Sequence, residues 1–482
     1  MSAVFLPLIL ILGAVLRLYN NIALALWHDE AFSALYLRYP LGEMMARIIL
    51  DVHPPLYYLI LRLWSSVSGD SLLSLRLLSI IFGVLTVWAG YLFIKAAFHN
   101  KHAALLSALI LAINPFQIQY ALEARMYTLG TFLILLSSYF LIRALESNRT
   151  KYWLFYSVTA AACLYTHYYL FFSVAAQGLF VLLYLIKNRN LKTFINSAWS
   201  YAGTALLFLP WLPYFNEQRS RVQAAYWIPA MDRWSIPGTV WKMIFGGTGI
   251  RNTILVIASV IAILIIIYFI RKISSFNKWL VFLSVAVPFA GAILLSVQTN
   301  IYLDRYFVFA SLFFTMIVTM AVLHVPKIFW RASAMAALIV SLLFAFLKNW
   351  QDLGVENKPG MAAASQIMNK GAKPGDKLYV GSSFIYFTFK YYNRTDINPL
   401  LISDRPLKDI PHFSGTAILE DRDLILDYQK TPKNSTVWLL WTTGFGGSKP
   451  VIPKNWKLVS ESKFADTPGF KGDIIASEYK IN

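Results

Sequence analysis

Charge is scarce in this chain, and negative charge scarcer still: 14% of its 482 residues are charged, with 24 acids against 43 lysines and arginines. With 57% apolar residues and a mean hydropathy of +0.55, that shortage excludes a disordered chain and an ordinary soluble globule, and it identifies an integral membrane protein. A single cysteine, Cys163, excludes an intrachain disulfide framework and, lying in an apolar run, reads as inert packing. No Gly-rich nucleotide loop and no His-x-x-x-His pair occurs, so neither a nucleotide cofactor nor a metal is expected. Internal repeats and low-complexity tracts are missing too. The net charge of +19 invites a nucleic-acid partner, but the bases are scattered between apolar runs without a basic stripe, and none is expected.

Aromatics are plentiful at 16%, with 15 Trp and 27 Tyr, as suits rings at bilayer interfaces. Crossing the hydrocarbon core takes about 20 apolar residues. Eleven candidate runs are read, at roughly 3–19, 72–94, 103–121, 127–142, 153–167, 169–186, 194–212, 252–270, 279–297, 306–323 and 332–348. The first lacks a basic start and a small-residue cleavage site, so it is taken as a helix rather than a signal peptide. The expected fold is a polytopic α-helical membrane domain over 1–349 and a small α/β or α+β domain over 350–482. Residues 1–349 hold 26 bases against 10 acids, whereas 350–482 hold 17 against 14, the balance of a soluble domain.

With the N-terminus inside, 13 of the 26 bases fall in short inner connections, as the positive-inside rule requires. Nine of the ten acids fall outside, and the odd span count puts the C-terminal domain there as well. Two outer segments are long, about 20–71 and 213–251. The first contains "LGEMMARIILDVHPPLYYLILRLW", whose apolar spacing of three and four suits helices lying in the interface. "KLYVGS", "TVWLLW" and "IIASEYKI" read as strands of the C-terminal domain, and Gly360–Lys370 as a helix.

Two stretches of the first outer loop carry unusual chemistry. "LWHDEAFS" sets Asp29 and Glu30 side by side, and neighbours in a helix or strand cannot share one face. One carboxylate can therefore point at a reacting hydroxyl while the other is held by a hydrogen-bond partner. The competing reading is two solvated loop acids, with His28 an interfacial polar residue. "DVHPPLYYL" fixes a turn through Pro54 and Pro55 ahead of a helix, and His53 in it can donate to a phosphate or a carboxylate.

The acidic pair after the first span, "DVHPPL" later in the same loop, the many spans and the outer C-terminal domain resemble the GT-C type membrane glycosyltransferases. Within these the chain is most similar to the protein O-mannosyltransferase superfamily and its bacterial relatives, which include the lipid A aminoarabinose transferase. The resemblance implies inverting transfer of a sugar from a polyprenyl-phosphate donor to an acceptor hydroxyl at the outer membrane face. It implies Asp29 as the catalytic carboxylate and Glu30 as its pocket-shaping partner, a lipid-linked sugar phosphate in place of any cofactor, and no metal. Eukaryotic protein mannosyltransferases continue "HPPL" with Gly-Lys, where Tyr57 and Tyr58 stand here. The acceptor is thus left open among lipid, glycan and protein.

A departing lipid phosphate calls for guanidinium or ammonium groups, and arginine offers two parallel donors to phosphate oxygens. "ALEARMYTLG" supplies Glu123, Arg125 and Tyr127, and "YLDRYFVF" supplies Asp304, Arg305 and Tyr306. Arg125, Arg305 and His53 are the expected phosphate contacts. His28, Tyr57, Glu123, Tyr127, Asp304, Tyr306 and His167, the last from "LYTHYYLFF", are the expected pocket residues; an interfacial arginine with its head in water and an interfacial aromatic belt are the bland readings. The rival functions are a lipid or solute transporter and an assembly scaffold. Transporters bury ionisable groups at mid-membrane in paired halves, whereas the acids here gather at outer span ends.

Overall fold

The computed structural model describes residues 2–19, 21–225, 227–247, 250–353, 360–444, 447–466 and 472–482. Before residue 70 run α1 (Ser2–Leu18), α2 (His28–Tyr36), α3 (Leu41–Leu50) and α4 (Leu56–Ser68). Then follow α5 (Leu72–Phe98), α6 (Lys101–Ile113), α7 (Pro115–Ala121), α8 (Tyr127–Ser147), α9 (Thr150–Leu164), α10 (Leu170–Asn188) and α11 (Leu191–Phe208). The helical part closes with α12 (Leu212–Ala224), α13 (Ser235–Phe245), α14 (Asn252–Lys272), α15 (Lys278–Ser296), α16 (Val308–Leu323) and α17 (Ile328–Leu353). Among the described residues seven helical segments are long and apolar enough to cross a membrane, and the bent pair α6–α7 makes an eighth. Each of the eleven apolar runs falls on a helix. The difference in count comes from α1, α9 and α11, which are shorter or more polar than a full span. This is a multi-pass helical membrane protein.

The chain divides into two units. The first comprises Met1–Tyr19, His53–Trp64 and Arg76–Asn349; the second comprises Asn20–Val52, Ser65–Leu75 and Trp350–Asn482. The segment carrying the acidic pair thus belongs to the unit that contains the C-terminal domain.

Within the first unit the α6–α7 span bends by 58° because Pro115 cannot donate to the helix before it. Both sides of the break are capped. Asn114 accepts the Gln117 N–H at 3.0 Å and sends its own amide to Met243 O at 3.1 Å, while Gln117 donates to Val308 O at 3.0 Å. On the other side, the buried Arg17 of α1 donates to Ala112 O at 2.8 Å and Leu111 O at 3.4 Å, two carbonyls left over at the end of α6. Gly83 of α5 makes room for that guanidinium: a Cβ there would stand 2.9 Å from Arg17 Nε.

The second unit contains a six-stranded sheet in the order β3-β2-β1-β4-β6-β5, built from β1 (Lys377–Val380), β2 (Leu400–Ile402), β3 (Leu424–Ile425), β4 (Thr436–Thr442), β5 (Trp456–Ala465) and β6 (Asp473–Ile481). The first four strands are parallel, and β4–β6–β5 are antiparallel. Tyr379, Val437, Leu439, Trp456, Tyr479 and Ile481 form the core on one face. Helices α18 (Gly360–Gly371) and α19 (Ser383–Tyr392) complete the α/β domain, Ser382 capping the second by accepting the Phe384 N–H. Strand β5 is largely exposed and carries Lys457, Glu461 and Lys463, charges that blunt a sheet edge.

Candidate active site

In the first unit, four connections bring their polar side chains together: the turn before α4, the link from α7 to α8, the turn from α9 to α10, and the 3-10 turn Asp304–Phe307 ahead of α16. The first is tied to the third by the Leu56 N–H donating to Tyr165 O at 3.0 Å, and Gln218 of α12 reaches His53 O at 3.4 Å.

Arg125 is the centre of this cluster and is 2% exposed. Its Nη1 donates to the Tyr58 hydroxyl at 3.2 Å, and its Nη2 stands 3.3 Å from His53 Nε2. Glu123, two residues earlier, takes the Arg125 backbone N–H on its carbonyl at 2.8 Å, which fixes the tight turn. The Tyr57 hydroxyl stands 3.4 Å from Ser79 Oγ, and Ser79 in turn donates to Arg125 O at 3.3 Å, so Tyr57 supports the backbone that carries the guanidinium.

His167 is also buried, with its ring 6.3 Å from that of His53, 4.9 Å from Tyr306 and 6.0 Å from Tyr127. Its Nδ1 accepts the Tyr169 N–H at 3.1 Å, so the neutral ring carries its proton on Nε2. Among the described residues that Nε2–H has no acceptor. Burial first, and then the neighbouring His53, Arg125 and Arg305, hold the His167 pKa well below its usual value. The cluster thus gathers the Arg125 guanidinium, the Tyr58 hydroxyl and the His167 Nε2–H, donors of the kind an oxyanion requires.

Arg305 lies over the Trp227 ring, its guanidinium carbon 5.9 Å from the centroid. Asp304 is held by two partners. It accepts the Arg305 N–H at 2.7 Å and forms an ion pair with Lys242 of α13, so its charge orients the turn and is neutralised there. Lys242, Tyr58 and Gln218 were not among the expected site residues. Lys242 had one legible signal, a lone base inside the apolar stretch Ser235–Phe245.

In the second unit, Asp29 and Glu30 occupy the first turn of α2, where carboxylates suit the positive helix end. Glu30 is 1% exposed and accepts the Trp27 N–H at 3.4 Å, so it fastens the helix start. Asp29 remains partly exposed, one helical step round. His28 is packed between rings, 5.4 Å from both Phe384 and Phe387. No cluster of His, Cys, Asp or Glu suited to a metal exists among the described residues.

A bundle of apolar helices with a broken span and an α/β domain at the C-terminus make this a multi-pass membrane protein of the GT-C fold. Residues 52–214, which carry His53, Arg125 and His167, match the family described as dolichyl-phosphate-mannose-protein mannosyltransferase. Among solved structures, the fold is similar to that of ArnT from Cupriavidus metallidurans, seen bound to undecaprenyl phosphate, at 12% identity and a TM-score of 0.59 over 97% of each chain. The apo form of the same protein matches equally, with a TM-score of 0.59. The Archaeoglobus fulgidus oligosaccharyltransferase shares 13% identity at a TM-score of 0.50, covering 83% of this chain and 65% of its own. No curated protein sequence matches the chain.

Proposed function

We propose that this protein is an inverting glycosyltransferase that moves a sugar from a polyprenyl-phosphate donor to an acceptor hydroxyl at the outer face of the cytoplasmic membrane, with the N-terminus cytoplasmic and the C-terminal domain outside. The observation that carries the reading is the buried His167 Nε2–H, which has no acceptor among the described residues and is set among His53, Arg125 and Arg305. A buried donor without a partner is costly. A phosphate oxygen removes that cost, and the undecaprenyl phosphate bound to the structurally similar ArnT supports a lipid phosphate as the ligand.

In this reading the donor phosphodiester is held by Arg125 and Arg305, with His53 and His167 as further donors. Asp29 accepts the proton of the acceptor hydroxyl as the acceptor oxygen bonds to the sugar C1. The C1–O bond to phosphate breaks on the opposite face, so the anomeric centre inverts. The phosphate leaves with one more negative charge than it had in the donor, and the proton resides on Asp29. A positioned carboxylate contributes about 10²–10⁴-fold to such a step. Cationic donors act on the charge that appears only as the bond breaks, which accelerates chemistry rather than merely binding.

The test is transfer by the purified protein from polyprenyl-phosphate-linked sugars to lipid, glycan and peptide acceptors, comparing wild type with Asp29→Asn. Equal turnover in both removes Asp29 from the mechanism. A solute flux into proteoliposomes that needs no donor would replace the enzyme by a transporter.

A further inference from the structure

The sheet of the second unit is doubly wound: from β1 the chain proceeds to β2 on one side, while β4 pairs on the other. A small pocket past the end of β4 is lined by Phe384 and Thr388 of α19, by Thr442 of β4 and its β6 partner Ile474, and by Leu26, Trp27 and His28. These last three residues directly precede Asp29.

The attachment is made at four levels. At the base of the segment the Leu26 N–H donates to the Tyr392 hydroxyl at 3.0 Å. Along α2, Phe32 stands edge-on to Phe387 at 5.3 Å, and His28 packs on the same ring. Gly415, at φ +89°, closes over that contact, since a Cβ there would overlap Phe387 and stand 3.2 Å from Phe32. Beyond α2, Arg38 donates to Lys390 O at 3.3 Å and Tyr391 O at 3.4 Å, capping the last carbonyls of α19. Further on, Arg47 binds Ala417 O and Ile418 O at 3.3 and 3.4 Å and pairs with Glu420, holding the loop that contains Gly415.

We propose that the C-terminal sheet domain seats the segment bearing the acidic pair against α19 and the loop containing Gly415, and that Tyr392, Phe387 and Gly415 are positioning residues for the Asp29 carboxylate. This rests on Asp29 being the base. Backbone carbonyls and aromatic rings grip the segment on both sides of Asp29, so the carboxylate direction is set by the sheet domain. Loss of the grip lets the carboxylate wander, and a displacement near an ångström costs about a hundredfold in rate with little effect on binding.

The experiment uses the full chain in detergent or nanodiscs. Tyr392→Phe removes the acceptor of the Leu26 N–H while keeping the ring, and Gly415→Ala pushes on the Phe387–Phe32 contact from the other side. Both variants should lose about ten- to a hundredfold in kcat, with KM for the lipid-linked donor and binding of undecaprenyl phosphate unchanged. Each should also have little further effect on the residual turnover of Asp29→Asn, because groups acting through one atom are not additive. Wild-type kcat in both variants, a rise in KM that accounts for the loss, or full additivity with Asp29→Asn overturns the proposal while leaving Asp29 in place. Undiminished turnover of Asp29→Asn instead overturns the assignment of the base, and the seat falls with it. Lys457→Ala on the exposed edge strand serves as the neutral control.

Discussion

Arg125 Nη2 stands 3.3 Å from His53 Nε2. Since arginine has no acceptor, the imidazole must accept through Nε2, which leaves the His53 proton on Nδ1. The guanidinium is held at its other end by Tyr58 at 3.2 Å. A cation fixed this way is oriented before any anion arrives and needs no reorganisation as charge develops.

Replacing Asp29 by Asn should therefore abolish transfer without weakening donor binding. A loss of about 10²–10⁴-fold in kcat is expected, read by single-turnover transfer of a labelled sugar. Binding of undecaprenyl phosphate, measured by fluorescence or calorimetry, should stay at the wild-type level.

Arg125→Lys should fail to rescue Arg125→Ala. An ammonium cannot hold the Tyr58 and His53 contacts while presenting a second pair of donors, so both variants should lose about 10²–10³-fold in kcat. A lysine variant within threefold of wild type would show that charge alone suffices.

His167 sets a pH dependence whose sign follows from its burial. With the folded pKa below the usual 6.5, the unfolded chain takes up a proton where the folded chain does not. Its contribution is complete above pH 6.5 and is lost as the pH falls below that value. Thermal unfolding temperatures should drop between pH 7 and pH 5 more steeply in wild type than in His167→Gln. A bound donor phosphodiester places negative charge at Nε2 and favours the protonated ring, so donor affinity should increase as the pH falls through the same interval. The phosphodiester itself does not titrate there.

Arg17 is the stability test. Arg17→Leu strands the Ala112 and Leu111 carbonyls at the α6–α7 break, at a cost of about 1–3 kcal/mol. Gly83→Ala, which crowds the same guanidinium, should cost about as much through overpacking. Both should lower the unfolding temperature, and a wild-type melt in Arg17→Leu would show that those carbonyls find other donors.

Much of the architecture was legible in the sequence because it is local. The length of an apolar run depends only on neighbouring residues, and all eleven runs fall on helices. "DVHPPLYYL" announces the start of α4 through proline geometry, whereas the helix α2 that takes Asp29 and Glu30 into its first turn was not read from "LWHDEAFS". The strands β1, β4 and β6 were visible as apolar stretches. Strand β5 was not, since an edge strand carrying charges has no apolar signature, and α19, with its aromatic sequence "SFIYFTFKYY", reads as readily as a strand.

By itself, then, the sequence determined that this is a multi-pass membrane protein, where its chain turns, and which acids and cations stand at those turns. Only the tertiary structure decided that Arg125, His53 and His167 share one buried recess, that Asp304 is taken by Lys242, and that residues 20–52 belong with the C-terminal sheet. The physical reason is range. Hydropathy and backbone preference act over a few residues, whereas a hydrogen bond or ring contact joins side chains separated by scores or hundreds of positions, and no local pattern encodes which of many such pairings packs without a void or an unpaired charge.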